Sequence, residues 1–262
     1  YSRYDRKNFE STLLFRKSED NGDSFDRQNL INTPGLSLAG SDLKITATGI
    51  FYVWSSNSGI LLTQSKILLA RSLDSGKTFE IIEQNGNDDP QIVKDKIWPS
   101  LAVDSNNNAY VAWYEADVDT REDAIPQMLY DLYSAKLENG QKSFTESKII
   151  AKCDSWKGLL MQPSIVATST HEVFVFWNKA ASSYLDDMYT QPLYTMFSND
   201  GGNTFSEPSE ITFGEDEMVQ NHGVCIGQND VMHFIYLLGS NGTLYYSKST
   251  DSCNSFNQGI KI

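Results

Sequence analysis

The amino-acid sequence predicts an all-β protein, a β-propeller of four-stranded antiparallel blades. Three observations carry that prediction: a turn motif that recurs along the chain, a strand pair that recurs upstream of it, and the near absence of helical periodicity. The chain has 262 residues, 40% hydrophobic and 12% aromatic, enough to bury a sizeable core.

The turn motif reads S-x-D-x-G-x-T-F. It stands complete at Ser72, Asp74, Gly76 and Phe79, and again at Ser198, Asp200, Gly202 and Phe205. A looser copy carries Ser18, Asp20, Gly22 and Phe25; another carries Ser249, Asp251 and Phe256, with Cys253 in the glycine position. A decayed copy ends at Phe144. Five fixed positions, each matched by chance roughly one time in 20, make two independent hits improbable. The five aromatics lie 54, 65, 61 and 51 residues apart, a period that suits one blade with its loops.

Each motif follows a strand-like run: TLLFRKS from Thr12, KILLARS from Lys66, DLYSAKL from Asp131, PLYTMFS from Pro192 and TLYYSKS from Thr243. Further upstream, WPSLAVDSNNNAYVAW from Trp98 and QPSIVATSTHEVFVFW from Gln162 align without gaps. HGVCIGQNDVMHFIYL from His222 reads in the same register, and LKITATGIFYVW from Leu43 is a shorter version. Each is two apolar strands joined by a polar turn. A blade is therefore strand 1, strand 2, strand 3, the motif, and an outer strand 4 such as residues 79–82 or 210–212. A partial blade is expected over about 1–33, and blades over about 41–84, 97–152, 161–213 and 220–262. Strands 1 and 2 of the partial blade are not legible. Either residues 1–10 supply a strand and five blades close, or the chain is part of a longer array, the reading favoured here.

The motif resembles the Asp-box, or bacterial neuraminidase repeat, of sialidase-like β-propellers, over almost the whole chain. The resemblance implies that the motif Asp and Ser bond backbone N–H groups, the Gly takes a positive φ, and the aromatic packs into the blade. The motif residues are thus read as components of the fold. The resemblance also implies a secreted or surface-displayed protein used as a binding or structural module, with a glycan or another extracellular protein as partner. The alternatives are a glycoside hydrolase and a subunit of a larger extracellular assembly.

Acidic side chains number 34 against 21 Lys and Arg, for a net charge of −13, which opposes binding to nucleic acid or anionic membranes. No apolar run approaches the roughly 18 residues of a membrane span. Cys153, Cys225 and Cys253 show no CxxC spacing and indicate neither a zinc site nor a disulfide framework. Cys225 aligns with Leu101 and reads as a buried small hydrophobe.

Antiparallel order places the connections from strand 4 to strand 1, and the loops from strand 2 to strand 3, on the face opposite the motifs, where a ligand site is expected. Strand 1 begins nearest the axis at Trp98, Gln162 and His222, the last beside Asn221. In the sialidase-like family such positions supply arginines that clamp a carboxylate. Here none is Arg, and all six arginines lie at or before Arg121, so a clamp spread round the axis is not expected. The candidate ligand face is Trp98, Gln162, Asn221, His222, Tyr114 and Glu115, with no catalytic residue assigned. Trp98, Tyr114, Trp156, Tyr184 and Tyr189 are the aromatics available there for stacking on sugar rings. Paired acids for hydrolysis would come from Glu115, Asp117, Asp119, Glu122 and Asp123 in one loop, from Asp186 and Asp187, or from residues 215–217. These acids read first as solvated loop charges. Calcium is the next reading, and no cofactor or metal site is assigned. Trp54, Trp113 and Trp177 recur at one blade position and are expected in the core.

Overall fold

A computed structural model describes residues 2–5, 10–26, 29–31, 36–57, 65–84, 92–119, 129–156, 161–178, 192–213, 219–238 and 242–262. Within them lie five antiparallel sheets, four of four strands and one of three. The first contains β1 (Ser2–Asp5), β2 (Glu10–Phe15) and β3 (Asn29–Ile31) in that order. Residues 2–5 thus add a strand beside the two legible in the sequence.

The second blade is β4 (Leu36–Ile45), β5 (Ile50–Asn57), β6 (Lys66–Ser72) and β7 (Glu80–Gln84). The third is β8 (Ile92–Val103), β9 (Ala109–Asp119), β10 (Leu129–Leu137) and β11 (Lys148–Trp156). The fourth is β12 (Ser164–Ala167), β13 (Val173–Asn178), β14 (Leu193–Ser198) and β15 (Ser209–Ile211). The fifth is β16 (Val219–Ile226), β17 (Met232–Leu238), β18 (Thr243–Ser249) and β19 (Ile260–Lys261). In each, chain order equals spatial order, as short hairpin connections require.

Successive blades pack face to face. β13 shows why its sequence is continuously apolar: its alternate side chains meet different neighbours, so all six residues are buried. Val173, Val175 and Trp177 pack on Ala112, Tyr114 and Leu132 of the third blade, whereas Phe174 and Phe176 pack on Phe234 and Tyr236 of the fifth. Burying each such side chain contributes roughly 1.5–3 kcal/mol. A stacked aromatic pair recurs on strands 2 and 3: Trp113 with Tyr133, Trp177 with Tyr194, and Tyr236 with Tyr245. Trp54, Trp113 and Trp177 are all buried, as expected.

The repeat is registered differently in the fifth blade from its ungapped alignment. Val103 pairs Ala109, Ala167 pairs Val173 and Ile226 pairs Met232, each pair enclosing a five-residue turn. Counting from these pairs, Tyr236 stands where Trp113 and Trp177 stand, Val224 matches Leu101, and Asn221, not His222, matches Trp98 and Gln162. A shift of one residue moves a strand side chain to the opposite face. Cys225 is accordingly exposed rather than buried.

The turn motifs form one hydrogen-bond pattern four times. Asp74 Oδ1 accepts from Thr78 N–H at 2.9 Å and Oδ2 from the Thr78 hydroxyl at 2.6 Å, while Ser72 Oγ accepts from Gly76 N–H at 2.8 Å. Asp20 with Ser24, Asp200 with Thr204 and Asp251 with Ser255 repeat it. Gly22, Gly76 and Gly202 take positive φ, and Cys253 does so at 65°. Phe79, Phe144, Phe205 and Phe256 are half-buried, but Phe25 is exposed. The residue after the aromatic has a part the pattern did not reveal: side chains of Asp26, Thr145, Ser206 and Asn257 accept from strand N–H groups of Lys17, Lys136, Phe197 and Lys248.

On the motif-bearing face, turns between strands 1 and 2 latch neighbouring blades. Asn107 bonds Thr46 and Thr48, Asp104 Oδ2 meets His171 Nδ1 at 2.9 Å, and Ser169 binds Asp230 through both its N–H and its hydroxyl.

Candidate ligand-binding cleft

Residues of the inner strands β4, β8, β12 and β16 surround a cavity of about 480 Å³. Trp98, Gln162, Asn221 and His222 all line it, together with Asp42 and Lys44 from β4. Four of the six candidate ligand residues are therefore gathered at one place.

Trp98 is set there by unusual backbone. The β8–β9 register shifts between Ile97 and Ser100, and Trp98 sits in the shift with φ of 52°. A left-handed conformation costs a bulky residue about 1–2 kcal/mol. Its neighbour Gly40, itself at φ +77°, allows the approach: a Cβ there would stand 2.7 Å from Trp98 Cα. Gln162 is anchored by donating from Nε2 to the Pro99 carbonyl at 2.8 Å, which ties β12 to the Trp98 turn.

Asp42 is fully engaged. Oδ1 accepts from Leu43 N–H at 2.8 Å and from Lys44 Nζ at 3.2 Å, and Oδ2 accepts from Leu101 N–H at 2.9 Å and Ser100 Oγ at 3.3 Å. Its geometry makes it a clasp between the second and third blades. Asn178 Nδ2 donates to the Val219 carbonyl at 2.8 Å, so its Oδ1 faces His222 Nδ1 at 2.9 Å as acceptor. That arrangement assigns the proton to Nδ1 and leaves Nε2 as a buried acceptor with no hydrogen bond of ordinary geometry. Burial pushes the His222 imidazole down to about 4, against a smaller opposing contribution from the Phe176 backbone. The ring is neutral at physiological pH.

Tyr114 and Glu115 are not part of this cleft. Tyr114 is fully buried between the third and fourth blades and offers no stacking surface, and burial raises its phenol well above the ordinary range. Glu115, Asp117 and Asp119 lie on β9 rather than in a loop, because β8 and β9 remain paired to Ile92 and Asp119. Glu115 is buried: it accepts from Trp113 Nε1 at 3.0 Å, and its oxygens lie 3.4 Å from Lys94 Nζ and 3.8 Å from Lys96 Nζ. It is a structural ion pair, not a solvated charge. Glu122, Asp123, Asp186, Asp187, Tyr184, Tyr189 and residues 215–217 lie outside the described residues. Among the described residues no group of three His, Cys, Asp or Glu is arranged to hold a metal ion.

No known protein-family profile matches the sequence, and a search of curated proteins finds no relative. Solved structures do match. A Trypanosoma rangeli sialidase in complex with sialic acid superposes on 98% of this chain and 41% of its own, with a TM-score of 0.58 and 14% identity. The fold is that of a sialidase-like propeller. NanB sialidase from Streptococcus pneumoniae matches 96% of this chain and 54% of its own, with a TM-score of 0.60 and 9% identity. A Penicillium chrysogenum α-L-arabinanase complexed with arabinobiose covers 86% and 66%, with a TM-score of 0.56 and 16% identity. The chain thus spans about half of the two sialidases it resembles.

Proposed function

We propose that the protein is an extracellular carbohydrate-binding propeller whose axial cleft takes a glycan. The observation that carries this reading is Trp98, a large aromatic held at φ 52° where strained backbone aims it at the cavity shared with Gln162 and Asn221. An aromatic body beside amide groups suits a sugar, whose ring faces are apolar and whose rim is polar. His222 adds a neutral ring to the wall of the cavity. The matched structures include a sialidase bound to sialic acid and an arabinanase bound to arabinobiose, which supports a saccharide as ligand class.

Binding rather than hydrolysis is the reading carried forward. Among the described residues lining the cleft Asp42 is the one carboxylate, and its oxygens already accept four hydrogen bonds. Most glycoside hydrolases, sialidases with their tyrosine nucleophile excepted, use two carboxyl groups, one of them free to give or take a proton. A glycan array followed by calorimetry on the best hit tests the reading. Trp98→Ala is expected to weaken binding at least about tenfold, equivalent to roughly 1.4 kcal/mol, without unfolding the protein. Retained affinity in the folded variant, or binding of no glycan, would refute it. Recovery from the extracellular fraction of the source culture tests the localisation.

A further inference from the structure

The turn motif of the third blade has lost its pattern, and the loss leaves a reactive dipeptide. Asn139 stands where the other motifs place Asp20, Asp74, Asp200 and Asp251, and Leu137 stands where they place serine. The four intact motifs hold two successive residues left-handed: Asn21 with Gly22, Ser75 with Gly76, Gly201 with Gly202, and Ser252 with Cys253. In each, the second of the pair donates its N–H to the motif serine, at 2.7 Å from Gly22 to Ser18 Oγ. Around Asn139 the chain makes a plain turn instead, closed by Gln141 N–H on the Glu138 carbonyl at 3.0 Å, with Gly140 rather than Asn139 left-handed, at φ 80°. Asn139 and Gly140 are both exposed, and among the described residues neither the Asn139 carboxamide nor the Gly140 N–H has a hydrogen-bond partner. Nothing stands within 4 Å of the place a Gly140 Cβ would take.

We propose that Asn139 is a site of spontaneous deamidation, and that the same Asn-Gly dipeptide at Asn21 is shielded by its motif. The Gly140 nitrogen gives up its proton to the solvent and attacks Asn139 Cγ; the C–N bond of the carboxamide breaks and ammonia leaves, closing a succinimide ring. Water then opens the ring at either carbonyl, giving aspartate or isoaspartate, with no oxidant or reductant involved. Glycine has no side chain to hinder the attack. At Asn21 the attacking nitrogen belongs to Gly22, whose N–H must first leave Ser18 Oγ, and the paired left-handed turn must open. Conversion at Asn139 falls on a built contact. Asn139 N–H donates to Asn108 Oδ1 at 3.0 Å, and Asn108 donates to both oxygens of Asp104, each at 2.9 Å. An isoaspartyl link puts an extra methylene into the main chain there, and either product adds a negative charge. The proposal does not depend on what occupies the axial cleft.

The test incubates the folded 262-residue chain in mildly alkaline buffer and follows two tryptic peptides by mass spectrometry, residues 137–142 and 18–27. Isoaspartate is read separately, by methyl transfer from S-adenosylmethionine with an isoaspartyl methyltransferase. Asn139 should convert at least about fivefold faster than Asn21, the factor set by one hydrogen bond. The residues before the two asparagines, Glu138 and Asp20, are both acidic, so in urea the two rates should converge. Ser18→Ala, which removes the acceptor, should bring Asn21 up toward the Asn139 rate in the folded protein. Equal rates at the two sites of the folded protein would overturn the proposal. So would faster conversion at Asn21, or an Asn139 that stays intact in the folded protein while the urea-unfolded chain converts. An unchanged Asn21 rate in Ser18→Ala would overturn the shielding by the motif.

Discussion

Trp98 and His222 show how single residues here trade stability for placement. At φ 52° Trp98 would be relieved by glycine but not by alanine. Trp98→Gly is therefore expected to be more stable than Trp98→Ala by about 1 kcal/mol in urea unfolding, reversing the usual order of the two residues. Burial holds His222 at about 4 in the fold against an ordinary 6.5, so the unfolded chain takes up this proton first as pH falls. The stability at stake is complete above 6.5 and is lost progressively toward 4, and His222→Gln should flatten that limb of the pH profile. The motif aspartates act lower. Hydrogen bonds from Thr78 and Ser72 hold Asp74 at about 2, and those from Ser24 and Ser18 do the same for Asp20, against 3.8 for a free side chain. Their contribution is present above 3.8 and is lost as pH falls through 2, so Asp74→Asn should make the acid transition shallower below pH 4 while leaving the His222 limb unchanged.

At the scale of the strands, the Ser, Asp and Gly positions of the motif were legible, because their bonds run between residues two to four apart and the chain writes them as a short repeated string. The extent of β8 and β9 was not. Their outer halves, from Ile92 and to Asp119, carry alternating charges that resemble a solvated loop, and only the pairing of the two strands gives Lys96 and Glu115 a common interior position. Lys96 donates to Gln84 Oε1 at 2.6 Å, so the pair also reaches the outer strand of the second blade. Removing one partner strands a buried charge, and Glu115→Gln is expected to destabilise the fold by about 3 kcal/mol, read by urea unfolding. Any loss of ligand binding in that variant should track unfolding, since Glu115 does not line the cleft.

Across the whole molecule, blades interact with their neighbours through a repeated apolar face and a few polar latches, as in a one-dimensional array. Such arrays open locally before they unfold globally. Asp230→Ala removes both bonds to Ser169, the latch between the fourth and fifth blades. Hydrogen exchange in β16–β18 is expected to accelerate ahead of β8–β10 in that variant, and uniform acceleration throughout would show that the blades do not open separately. The sequence by itself determined the all-β class, the blade period, the motif residues and the buried tryptophans, because each is written in local spacing or in exact repetition. Tertiary structure decided the rest. It moved the fifth-blade register by one residue, put Asn221 beside Trp98 and Gln162, buried Tyr114 and Glu115, and opened Cys225. Those outcomes depend on which face of a strand meets a neighbouring sheet, and a period of two residues makes that choice turn on a single position.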